Sequence, residues 1–178
     1  MAEAPAPQQH TEEVLESHDE LRRLSDVLWA ERRLLELLLF KLEEEQLLLT
    51  SGRSRWLGHA AREVAKVLDE IRSAEVGRAA EADAAAVALG LEPGTPLGEL
   101  ALAAPAPWDE LLLSHRDAFA QLTSEISELA DGNRELLAVS HRATQETLLA
   151  LRRESETYDD TGHAASIDRS GQIFDASL

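Results

Sequence analysis

The chain has 178 residues, 44% of them hydrophobic but only 4% aromatic, so a core is within reach and has to be built from aliphatic side chains. With no cysteine, disulfides, thiolate metal sites and cysteine nucleophiles are excluded, and the cytoplasm is the expected compartment. A net charge of −17, from 34 acidic and 17 basic residues, repels nucleic acid and anionic membranes; it keeps a helical surface soluble and leaves a protein as the expected partner.

Residues 1–10 are polar, with Pro5 and Pro7 and no apolar signal core, and are expected to be a disordered N-terminus. No uncharged stretch approaches the roughly 20 residues of a membrane span, so membrane insertion is not expected. From Thr11 to Leu49 there is neither Gly nor Pro, and Val14, Leu21, Leu28, Leu35, Leu42 and Leu49 recur every seven residues, with Leu24 and Leu38 at the companion position. The spacing predicts one long amphipathic helix, about 60 Å at 1.5 Å per residue, and hence an elongated molecule. Between Leu34 and Phe40 apolar residues cover nearly the whole circumference, a belt that calls for more than one neighbour: other helices of the chain, or a second copy.

Thr50, Ser51 and Gly52 break this helix, and Ser54 can cap a second one carrying Trp56, Leu57, Val64, Val67, Leu68 and Ile71. Past Ala74 the pattern thins into alanine around Gly77, which permits close helix approach but weakens the helix, so this end is expected to be looser. Residues 90–96 form a connector, Leu97–Ala103 a short helical turn, and Pro105 and Pro107 precede a third long helix from Trp108. Its seam runs Leu112, His115, Phe119, Leu122, Ile126, Leu129, Asn133 and Leu136. From Ser140 that seam fades to Ser140, Ala143, Thr147 and Ala150, while Leu137, Thr144, Leu148 and Leu151 form a second stripe rotated around the helix. The expected fold is all-α: an up-down-up bundle of three long helices with coiled-coil character over residues 11–154, followed by a flexible tail over 155–178.

No histidine has a glutamate three residues before it, and there is no Gly-rich phosphate loop, no Gly-x-Ser-x-Gly elbow and no His-Glu-x-x-His, so no catalytic residue, metal or cofactor is expected. His115 reads as an interface histidine held by a hydrogen bond, Asn133 as a buried register-setting amide, and Glu43–Glu45 as a solvated face. The Leu137, Leu148, Leu151 stripe needs a cover: either residues 164–178 fold back over it, or the amphipathic helix of a partner lies there.

The stretch LSDVLWAERRLLELLLFKLEEEQLLLTSGRSRWLGHAAREVAKVLDEIR, Leu24 to Arg72, closely resembles the FlgN family of flagellar export chaperones, as do the connector LGLEPGTPLGELALAAPAPWDELLLSHR and the ETYDDTG motif at Glu156–Gly162. The resemblance implies a cytosolic, non-enzymatic chaperone that binds hook-filament junction (hook-associated) proteins, prevents their premature assembly and delivers them to the export gate of the type III apparatus. It places client capture on Leu137, Leu148, Leu149 and Leu151, and docking to the gate's cytoplasmic domain on Tyr158. Read from the residues alone, Tyr158 packs back on Leu151 and caps the helix end. The alternative for the whole chain is a structural coiled-coil scaffold that self-associates through the Leu34–Phe40 belt and carries no client.

Overall fold

The computed structural model describes the backbone of residues 7–157 and the side chains of residues 17–153. Among these residues there is no strand. Three long helices and one short one are present: α1 (Pro7–Thr50), α2 (Leu57–Ala88), α3 (Leu97–Ala103) and α4 (Trp108–Thr157). By Cα proximity the chain divides into Met1–Arg134 and Glu135–Leu178, with α4 supplying residues to both.

Both ends of the α1–α2 hairpin are set by glycine. Gly52 (φ 68°) and Gly90 (φ 72°) take the left-handed conformation that L side chains resist. Around each, the backbone closes a Schellman motif: Arg53 N–H donates to Leu48 O at 3.0 Å and Gly52 N–H to Leu49 O at 3.3 Å, while Leu91 N–H donates to Ala86 O at 2.8 Å and Gly90 N–H to Val87 O at 3.0 Å. Ser54 does not cap α2 directly, because Ser54–Trp56 forms a separate 3₁₀ turn before Leu57.

In Met1–Arg134 the core has two layers. The first gathers Leu21, Leu24 and Leu28 of α1, Ala85 and Ala86 of α2, Leu100 and Ala101 of α3, Ala104, and Leu112 of α4. The second gathers Leu35, Leu38 and Leu42 with Val67 and Ile71, flanked by Phe119, Leu122, Ile126 and Leu129. Early α1 thus meets late α2 and early α4, which makes α2 antiparallel and α4 parallel to α1: the expected up-down-up order. From Leu21 to Leu42 the α1 heptad is the core stripe as read, with Leu21 and Leu24 fully inaccessible, whereas Leu49 is only half-buried and Val14 lies outside the residues whose side chains are described. Trp108 Nε1 donates to His18 Nδ1 at 2.9 Å and pins the start of α4 beside α1.

Three readings need correction. The alanine-rich end of α2 is packed rather than loose: Ala85 and Ala86 have no exposure, because their small side chains let α3 and the α1 leucines close over them. Gly77 serves no close approach, since a Cβ built there would meet nothing within 4 Å. The Leu34–Phe40 belt is covered on one side only. Leu34, Leu35 and Leu38 belong to the second layer, while Leu37 and Phe40 face out at 38% and 51% exposure.

Candidate functional site

Polar groups hold the bundle's register where the two core layers meet and at its upper end. Asn133 is buried and donates through Nδ2 to Leu42 O at 2.9 Å and to Glu45 Oε2 at 3.3 Å. The amide therefore locks α4 to α1, as its place on the seam suggests, and Glu45 is drawn into that contact instead of standing on a purely solvated face. His115 is buried but, among the described residues, neither ring nitrogen has a hydrogen-bond partner. It is held instead by Trp29, whose ring stands edge-on at 4.8 Å, which corrects the hydrogen-bonded reading. Burial, and secondarily the charge of Arg32, push its pKa below the ordinary histidine value, so the imidazole is neutral in the fold.

Sequence reasoning missed a buried carboxylate. Glu31 has a side chain only 8% exposed, with Arg78 Nε 2.8 Å from its Oε2. Burial raises its pKa and the Arg78 charge partly offsets that. A glutamate inside a leucine heptad four residues before Leu35 was the available signal. Among the described residues no group of His, Asp or Glu side chains is arranged to hold a metal ion, and no helix is long and apolar enough to cross a membrane.

Apart from Val76, Val87 and Leu102, the exposed large apolar side chains fall in two stretches. The first is the outer side of the hairpin, where Trp29 (44%), Phe40, Leu47 (68%) and Trp56 (49%) accompany Leu37. Near its tip Leu47, Leu48 and Trp56 border a groove of about 480 Å³ together with Lys41, His59 and Glu63. Lys41 ties the two helices across this groove, with Nζ 2.7 Å from Glu44 Oε2 and 2.8 Å from Glu63 Oε2. The sequence carried a hint, since Leu37, Phe40, Glu44 and Leu47 follow a second heptad register beside the core one.

The second place is α4 within Glu135–Leu178. Leu137 is 40% exposed, Leu148 59%, Leu149 55% and Leu151 56%, so each leucine expected at the site stands open to solvent. Every side chain from Leu137 to Arg153 is exposed. Leu137, Thr144, Leu148 and Leu151 fall on one helical stripe, while Leu149 lies roughly 100° around from Leu148. Val139, at 55% exposure, adds an apolar group that the sequence reading did not single out and that no spacing signal marks. Thr144 and Thr147 turn their hydroxyls inward, donating to Ser140 O and Ala143 O at 2.9 Å each, which leaves their methyls on the surface. Such a surface can bind an apolar partner by burial but offers no nucleophile, base or metal ligand in a pocket. Tyr158 lies outside the described residues.

The FlgN family model, described as FlgN protein, matches residues 20–166, a span that contains α1 from Glu20 onward, α2, α3, α4, all four leucines and Tyr158. No curated protein and no solved structure is significantly similar to the chain. A match of that extent, together with an all-helical fold that has the expected order of elements, establishes that the chain belongs to the FlgN family of flagellar export chaperones, which serve flagellum assembly.

Proposed function

We propose that this chaperone binds hook-filament junction proteins in the cytosol, keeps them from assembling early and hands them to the cytoplasmic domain of the export gate. The observation that carries the reading is the exposed run of Leu137, Leu148, Leu149 and Leu151 on α4, in a member of this family. Four half-exposed leucines on one helical segment give up water on binding, at about 25 cal/mol per Å² of apolar surface removed. A client terminus that is amphipathic and unfolded before assembly supplies the matching helix. The chain binds and releases; it carries out no chemistry.

Co-expression with each junction protein tests this directly. The wild-type chain should co-purify with its client, and Leu148→Ser with Leu151→Ser should abolish capture while leaving helicity and the melting midpoint nearly unchanged. A loss of several kcal/mol of stability in that variant would mean the leucines are structural, and the assignment would fall. Delivery is assigned to Tyr158, whose amphipathic ring suits a docking anchor. Tyr158→Ala should keep the client, lose the gate domain and slow export; an unchanged export rate refutes that role.

One observation favours the second reading, a self-associating scaffold: Leu37 and Phe40 of the belt face solvent with Trp29 and Leu47. Light scattering separates the two. A scaffold is an obligate oligomer whose mass falls when Phe40 and Leu47 become Ser, whereas a carrier forms a stoichiometric complex with its client.

A further inference from the structure

Leu137, Leu148 and Leu151 stand exposed along one line of α4, and Thr144 between them offers only a methyl group. The line is therefore notched near its middle. From Leu137 to Leu151 it runs about 21 Å, at 1.5 Å per residue. Exposed leucines in such a row call for a cover.

The segment that follows α4 carries a matching pattern. Residues 158–178 lie outside the described residues, and they belong with the stripe to Glu135–Leu178. Ile167, Phe174 and Leu178 are spaced by seven and four residues, as Leu137, Thr144 and Leu148 are, so at helical spacing they share one face. A helix over residues 164–178 also measures about 21 Å. Between it and α4 stand Asp159, Asp160, Thr161 and Gly162, which are turn-forming residues. Folded back antiparallel from that turn, the segment sets Ile167 beside Leu148 and Leu151, Phe174 over Thr144, and Leu178 between Leu137 and Thr144. Its bulkiest apolar side chain thus meets the notch.

We propose that residues 164–178 form a helix that lies antiparallel on the Leu137, Leu148, Leu151 stripe until a client displaces it. The proposal rests on the reading of this stripe as the client surface and adds its regulation. Ile167, Phe174 and Leu178 all lie past residue 166, where the family match ends, so the cover is a property of this chain and not of the matched span. A helix of about 15 residues that contains Gly171 is marginal by itself, so it holds only through the contact and yields to a competitor that fills the stripe better. Leu149, off the line, stays open and gives a client an apolar foothold beside the occupied stripe. A cover closed about nine-tenths of the time lowers the apparent affinity about tenfold, since only the open fraction binds.

Two measurements on the full chain test this together: hydrogen exchange read by mass spectrometry, and binding of an amphipathic leucine-stripe peptide of about 20 residues read by fluorescence anisotropy. Amides of residues 164–178 should exchange about tenfold more slowly than in an unfolded chain. That protection should vanish in Ile167→Ser with Phe174→Ser, vanish equally in Leu148→Ser with Leu151→Ser, and persist in Leu149→Ser. The variant with Ile167→Ser and Phe174→Ser should bind the peptide about tenfold more tightly than the wild type, with circular dichroism confirming that the bundle persists. Unprotected amides across 164–178 in the wild type, or equal peptide affinities for the wild type and that variant, overturn the inference and leave the leucines to the client. Protection that grows with protein concentration means that a second copy covers the stripe, which overturns it as well. If Leu148→Ser with Leu151→Ser leaves peptide binding unchanged, the client-surface reading falls and the competition falls with it.

Discussion

Replacing Gly77 by Ala should stabilise the protein, and the sign of that change tests whether the alanine-rich end of α2 is part of the cooperative core. Gly77 is exposed in the middle of α2, and a Cβ there would meet nothing within 4 Å, so the substitution carries no steric cost. What remains is the difference in helix propensity and unfolded-chain entropy, about 0.8–1 kcal/mol in favour of Ala. For a chain of this length that corresponds to a rise of about 2–4 °C in Tm. The effect reaches the global transition only if α2 unfolds together with the layer that contains Leu21, Leu24, Ala85 and Ala86. Gly52→Ala is the matched control: Gly52 also has free space, but at φ 68° a side chain is strained, so this variant should lose about 1 kcal/mol. Thermal melts followed at 222 nm, with urea titrations for ΔG, give both values. An unchanged Tm for Gly77→Ala would mean that the far end of α2 frays independently, and the packing argument for Ala85 and Ala86 would be wrong.

Other expectations follow from the buried groups. His115 is held neutral by burial, so its contribution to stability is complete above the unfolded-state pKa of about 6.5 and is lost as pH falls from there toward its depressed folded value. Stability should therefore drop between pH 7 and pH 5 more steeply in the wild type than in His115→Phe, and parallel profiles would remove His115 as the cause. Arg78→Met leaves the Glu31 carboxylate without its counter-ion and should cost about 1–3 kcal/mol; adding Glu31→Gln should recover most of it, and a non-additive double-mutant cycle is the check. Arg72→Met, which breaks the exposed pair with Asp69, should cost nothing measurable. Leu38→Ala should cost about 2–5 kcal/mol and Leu37→Ala less than about 1, since only the former is buried; similar values for the two would show that the core stripe has been misplaced.

The elements of this fold are legible because heptad spacing and glycine stops are local properties of the chain. Leu21 to Leu42, the breaks at Gly52 and Gly90, Leu97–Ala103 and the start at Trp108 all stand where the pattern puts them. Packing is less legible, because it depends on which surfaces meet. The run Ala84–Ala86 reads as weak hydrophobicity in one dimension, yet in three it is the thin place that admits α3. The belt at Leu34–Phe40 reads as a demand for full burial, but three helices cover only part of its circumference. The exposed leucines of α4 were foreseeable, since they leave the seam after Leu136.

The position of α3 bears on the order in which the molecule can be completed. Leu100 and Ala101 close the layer over Leu21, Leu24 and Leu28, and Asp83 Oδ1 accepts from Gly94 N–H at 2.7 Å, fastening the connector to α2. The α1–α2 hairpin can bring Val67 and Ile71 against Leu35 and Leu38 by itself, but its opposite end offers only alanine, and the leucines there stay wet until α3 and α4 arrive. A protease that cuts between residues 92 and 96 of a partly folded chain would therefore leave an N-terminal piece with an open, sticky end. Resistance to cleavage in that connector is thus a direct readout of whether folding has finished.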